Sequence, residues 1–149
     1  MLKYNKDDNL YFLCCLIEYA ARKTLNEPKA IINYLDTKGI EWIYMFADIL
    51  HCENIDAVTQ ELIADYKIPE GTYHCDRNCE EYEFQLVSVY SIAAVFAKLI
   101  EDLGGFNSTL VIDVYNSYIG DCINNYVYGF YTLAPTIIYE SYKAGEMLE

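Results

Sequence analysis

Basic side chains are scarce in this 149-residue chain. Lys and Arg number 10 against 23 Asp and Glu, a formal net charge of −13. Phosphate backbones are gripped by basic surfaces, so this balance argues against direct nucleic-acid binding. It argues equally against docking to anionic lipid. Histidine is scarcer still, with only His51 and His74. There is no Gly-x-Ser-x-Gly nucleophile elbow. Gly104 and Gly105 lack the Gly-Lys-Ser/Thr ending of a phosphate loop and follow a helical pattern rather than a strand. Long apolar runs are missing too. The segment from Val111 to Ile138 is broken by Asp113, Asn116, Asp121, Asn124 and Asn125, which argues against a membrane span. The start, Met1 to Asn9, is polar, and the apolar run Leu10 to Ile17 is short with no small-residue cleavage site after it. These features predict a soluble, cytoplasmic protein.

What is present is a globular composition, 54% hydrophobic and 22% charged. Its length suits one domain. Six cysteines occur, Cys14, Cys15, Cys52, Cys75, Cys79 and Cys122. Cys14 and Cys15 are adjacent within an apolar helical pattern, and Cys122 lies in another. Reduced, partly buried thiols are the simpler reading.

The hydrophobic period is helical almost throughout. Asp7 or Asp8 caps a helix to about Thr24, with Leu10, Leu13, Ile17, Ala20 and Ala21 inward and Glu18 and Arg22 on the other side. Asn26 caps a second helix, with Pro28 in its first turn and Gly39 at its end. A third runs from about Ile40 to His51, its buried stripe supplied by Trp42 to Met45, Phe46, Ile49 and Leu50. Asn54 caps a fourth. Residues 72–81 form a polar linker. A long helix over about 82–103 is apolar on most of its circumference, which predicts a buried central element. Asn107 or Ser108 caps a helix to about Tyr118; Leu110 to Ile112 favours a strand but has no evident partner. The last helical stretch, about Gly120 to Ala144, contains Pro135, which should kink or divide it. The prediction is an all-α bundle of six or seven helices in a single domain, with sub-units 1–71 and 82–149 joined by the linker.

Groups that could carry chemistry are few. His74, Cys75 and Cys79, with His51 and Cys52 upstream, are weak zinc candidates: there is no Cys-x-x-Cys pair, and adjacent residues seldom ligate one ion well. No cofactor is expected. Cys52 beside His51 is a poor catalytic dyad, because sequence neighbours on a helix point apart. His51 near a helix C-terminus suits a cap role. Glu80, Glu81 and Glu83 lie at a helix N-terminus, where the dipole stabilises negative charge.

Tyrosine is the unusual abundance, 16 in all. Tyr115, Tyr118, Tyr126, Tyr128, Tyr131, Tyr139 and Tyr142 crowd the last third. Tyr suits half-buried and interface positions because its ring packs while its tip stays polar. Together with Asp121, Glu80, Glu81 and Glu83, these residues predict a docking face for a basic protein partner. The bland alternative is that the rings complete the core.

The segments Phe12-Leu13-Cys14-Cys15-Leu16-Ile17-Glu18-Tyr19, Ala47-Asp48-Ile49-Leu50-His51 and Ile55-Asp56-Ala57-Val58 resemble a bacterial family, domain of unknown function 3791. The likeness covers about the first 70 residues. Cys52 to Asn54 departs from the Thr-Gln pair expected after the Leu-His step. The resemblance implies a small helical protein, often encoded near toxin-like or mobile-element genes, and through that neighbourhood an antitoxin, immunity or inhibitor role. It carries over no catalytic residue. The leading expectation is a non-enzymatic acidic interaction module for a basic protein effector. Two alternatives stand beside it. One is an acidic mimic of nucleic acid that blocks a DNA- or RNA-binding protein. The other is a small-ligand-binding or homo-oligomeric helical protein, such as a homodimer through the Tyr-rich third.

Overall fold

The computed structural model describes residues 7–75, 87–124 and 133–148. Seven helices lie among them, and no strand. They are α1 (Asp8–Thr24), α2 (Pro28–Leu50), α3 (Ile55–Tyr66), α4 (Val89–Asp102), α5 (Ser108–Tyr115), α6 (Tyr118–Ile123) and α7 (Pro135–Ala144).

α1 is the most enclosed. Leu10, the unbroken run Leu13 to Glu18, Ala20, Ala21 and Thr24 are all buried. It packs chiefly against α2 on one side and α4 on the other. α4 buries Ile92, Ala93, Phe96, Ala97, Leu99 and Ile100, and shares the centre of the bundle with α1. The first part of the predicted 82–103 helix, residues 82–86, lies outside the described residues. A single apolar cluster joins residues from Leu10 to Ile68 with residues from Val87 to Ile138.

Local chemistry sets the helix ends. Asp7 caps α1 by accepting from the Leu10 N–H at 3.1 Å, and Asn54 caps α3 by accepting from the Asp56 N–H at 2.8 Å. Asn107 caps α5 through the Leu110 N–H at 3.1 Å. Asn26 does not cap α2; Glu27 holds that position without a side-chain bond. The Asn26 amide instead donates to the Pro69 carbonyl at 2.9 Å. With the Gly71 N–H on Thr24 O (2.8 Å) and the Tyr73 N–H on Leu25 O (2.9 Å), it straps the chain after α3 onto the α1–α2 turn.

The predicted second and third helices are one helix with a kink. The break sits at Asp36 (φ 59°, ψ −173°) rather than at Gly39. The Asp36 carboxylate accepts from the Thr37 N–H at 2.8 Å, so it restarts the helix its own backbone interrupts. The predicted helix through Tyr118 likewise ends early, at Tyr115. Ser117 opens α6 by accepting from the Gly120 N–H at 2.9 Å. Pro135 does not sit inside a helix; it is the first residue of α7, where its missing N–H costs nothing.

Gly120 is required by close approach. A Cβ there would strike the Val114 carbonyl oxygen and stand 2.9 Å from that of Tyr115. Both are backbone atoms and have little room to yield. Gly120→Ala is expected to cost about 2 kcal/mol or more and to lower the unfolding temperature by roughly 5 °C. Thermal unfolding followed by circular dichroism measures it, and an unchanged midpoint would contradict the packing described.

Candidate interaction surface and a buried carboxylate

The second half of α2 faces three ways. Ile40, Ile43, Ala47 and Leu50 point into the core. A second side is tied to the α4–α5 corner: the Glu41 carboxylate accepts from the Ser108 hydroxyl at 2.6 Å, and the Tyr44 ring stacks on Phe106 with centroids 3.7 Å apart. The third side is outward. It carries Trp42 (49% exposed), Met45 (69%) and Ile49 (62%), at helical spacings of three and four that place them in one row. Phe46, half-buried, packs its ring 5.1 Å from that of Trp42. Trp42, Met45 and Ile49 were expected in the buried stripe. The structure turns them to solvent, because the inward positions are already filled by the isoleucines, Ala47 and Leu50. Between residues 38 and 53 the carboxylates Glu41, Asp48 and Glu53 outnumber the one lysine, Lys38.

Among the described residues, the predicted docking residues of the last third fall in different environments. Tyr115 is fully buried, its ring stacked on Phe96 with centroids 3.9 Å apart. It belongs to the core, not to a docking face. Tyr118 is half exposed. Asp121 is exposed and pairs with Lys29 at 3.1 Å. Tyr139 and Tyr142 are half-buried on α7, and Lys143 Nζ lies 5.0 Å from the Tyr139 ring centroid. Tyr126, Tyr128, Tyr131, Glu80, Glu81 and Glu83 lie outside the described residues.

Of the zinc candidates, His74 is exposed and Cys75 half-buried, and Cys79 lies outside the described residues. Among the described residues no three potential ligands gather at one point. His51 sits exposed at the C-cap of α2. Cys14, Cys15 and Cys122 are buried thiols, whereas Cys52 is exposed. No helix among the described residues is long and apolar enough to cross a membrane.

One chemically loaded residue lies where the sequence reading did not place it. Glu18, expected on the outer side of α1, is fully buried. Burial pushes its carboxyl up to about 8, and Arg22, one turn along the same helix, lowers it only in part. The Arg22 guanidinium is turned toward the Val87 carbonyl, to which it donates. The Asn124 amide at the end of α6, with its nitrogen facing Glu18, donates to both carboxylate oxygens at 3.2 Å. Cys14 and Cys15 stand beside Glu18 on α1, and burial raises both thiols, Cys15 to about 11. Tyr115 faces it from α5 and Tyr73 from the strapped segment. Its position four residues after Cys14 was the available signal: it shares that helix face.

Beside this cluster is a pocket of about 210 Å³, lined by Glu27, Lys29, Tyr73, Tyr115, Asp121 and Asn124 among others. A second, more apolar groove of about 300 Å³ lies between α4 and α7, lined by Ala94, Val95, Leu99, Leu133 and Ile138 among others.

The chain is thus an all-helical protein with an outward apolar row and a buried acid. Compared with family models, curated proteins and solved structures, it matches none.

Proposed function

We propose that this chain is a non-enzymatic, acidic protein-interaction module that docks a basic protein effector through the outward row of α2. The observation that carries the reading is the row itself: Trp42, Met45 and Ile49 are each about half exposed or more, on a helix whose other sides are packed. Large apolar side chains left in one exposed row mark interaction sites. Trp is prominent among the residues that dominate binding energy at interfaces. The surrounding carboxylates and the net charge of −13 favour encounter with a positive surface. The antitoxin, immunity or inhibitor role is the form of this module that the likeness to the bacterial family favours.

The test is capture from nuclease-treated host lysate at low and moderate salt, run in parallel with the wild-type protein and with a Trp42→Ser/Ile49→Ser variant. The expected result is one basic protein held by the wild type, weakened by salt, and retained much less by the variant. Equal retention by both proteins, or binding indifferent to salt, would overturn the reading.

A further inference from the structure

Glu18 has no exposed surface, and among the described residues no cation stands within ion-pair distance of its carboxylate. Arg22, one turn along α1, donates to the Val87 carbonyl. The donor to Glu18 is the Asn124 amide, at 3.2 Å from each oxygen. Asn124 is half-buried and also lines the pocket of about 210 Å³ between the start of α2, the strapped segment and the end of α6. One side chain therefore touches both the pocket and the buried acid.

That arrangement suits one protonation state. An ionised carboxylate offers about four acceptor sites, and one neutral amide supplies only two N–H groups. Holding such a charge away from water without a paired cation is costly, so the closed form favours the neutral acid. Burial accordingly pushes the Glu18 carboxyl up to about 8. The groups that face it keep their charge state below that pH. Cys14 and Cys15 on α1, Tyr115 on α5 and Tyr73 on the strapped segment are all raised by burial and stay neutral. Arg22 stays charged. Glu27 and the Lys29–Asp121 pair stand at the pocket, and His74 is exposed next to Tyr73.

We propose that Glu18 is a proton-operated latch on the end of α6. While it holds its proton, Asn124 closes over it. When it ionises, the Asn124 amide swings toward the pocket and water reaches the carboxylate. Cys14 and Cys15, one turn before Glu18 on α1, then open to small reagents. The latch couples pH to the reactivity of two adjacent thiols that burial otherwise keeps inert. The closed form binds more protons than the open one, so opening grows as pH rises. It grows about tenfold per pH unit between the ordinary value of 4.5 and about 8, and levels off above.

The test is the initial rate of labelling of the full chain by methyl methanethiosulfonate from pH 5.5 to 9, with each cysteine read by mass spectrometry. Exposed Cys52 is the internal standard, because its labelling carries the ordinary dependence of thiol chemistry on pH. The ratio of Cys14 and Cys15 to Cys52 is expected to rise about 100-fold from pH 5.5 to 7.5 and to level off above pH 8. In Glu18→Gln it is expected to stay flat, which separates Glu18 from His74. Asn124→Ala loosens the latch and is expected to raise the ratio several-fold at pH 6 while keeping the slope. Hydrogen exchange at the Phe96 and Ile100 amides of α4 measures opening of the whole bundle, expected to be about tenfold rarer than opening at Cys15 or rarer still. Four results would overturn the proposal: a ratio indifferent to pH, the same rise in Glu18→Gln, a ratio unchanged by Asn124→Ala, or labelling no more frequent than whole-bundle opening.

Discussion

Glu18→Gln is expected to raise the unfolding temperature by about 10 °C at pH 8 and to leave it nearly unchanged at pH 4. Unfolded, this carboxyl releases its proton near its ordinary value of 4.5; folded, it holds the proton up to about 8. Between those values the folded state binds more protons than the unfolded state, so stability falls as pH rises. Each unit of difference is worth about 1.4 kcal/mol, so the wild-type protein loses on the order of 4 kcal/mol across the window. Gln keeps the shape, cannot ionise, and escapes that loss. Subtracting the two pH profiles cancels the other titrating groups, including Asp56, which Lys23 and Tyr19 hold below its ordinary value. A variant less stable than wild type at pH 8 would mean that Glu18 is ionised and held by Arg22.

Trp42→Ala is expected to weaken effector binding about 100-fold while shifting stability by less than about 0.5 kcal/mol. The two effects separate because the indole is half out in solvent and rests on Phe46 rather than in the core. Isothermal titration with the captured effector gives the first quantity and urea unfolding the second. A loss of several kcal/mol in stability would make Trp42 a packing residue and remove the basis for the docking face. Met45→Ser and Ile49→Ser should follow the same pattern, with smaller losses of affinity.

Much of the bundle is legible in the sequence because local rules set it. Asp7, Asn54 and Asn107 are polar caps ahead of apolar periods, and each caps the helix expected. The all-helical class follows from the same period. Boundaries within long patterns are not local in this sense. The α2 kink falls at Asp36, where a carboxylate can serve the next N–H, and Gly39 continues the helix with Tyr66 packed over it. Pro135 reads as a kink until Ala134 is seen in a β conformation as the cap, with Pro135 as the first residue of the helix.

The candidate sites were less legible, for a physical reason. Periodicity shows which residues share a helix face but not which face the rest of the fold covers. Glu18 and Trp42 exchange their expected places on that account. α1 is enclosed by both α2 and α4, so even its polar position is buried. The second half of α2 is covered on two sides only, so apolar positions remain outside. The Tyr-rich third divides for the same reason: Tyr115 fills the core against Phe96, while Tyr118, three residues on and past the helix break, stays exposed.

Trp42 is the only tryptophan in the chain, and it lies in the exposed row of α2. Its fluorescence therefore reports on the proposed docking face. The decisive measurement is the emission maximum and iodide quenching of Trp42, free and with the captured basic effector. Water-exposed, readily quenched emission is expected in the free protein, with a shift to shorter wavelength and loss of quenching in the complex. Emission and quenching unchanged on binding would contradict it, because the effector would then be held by some other surface.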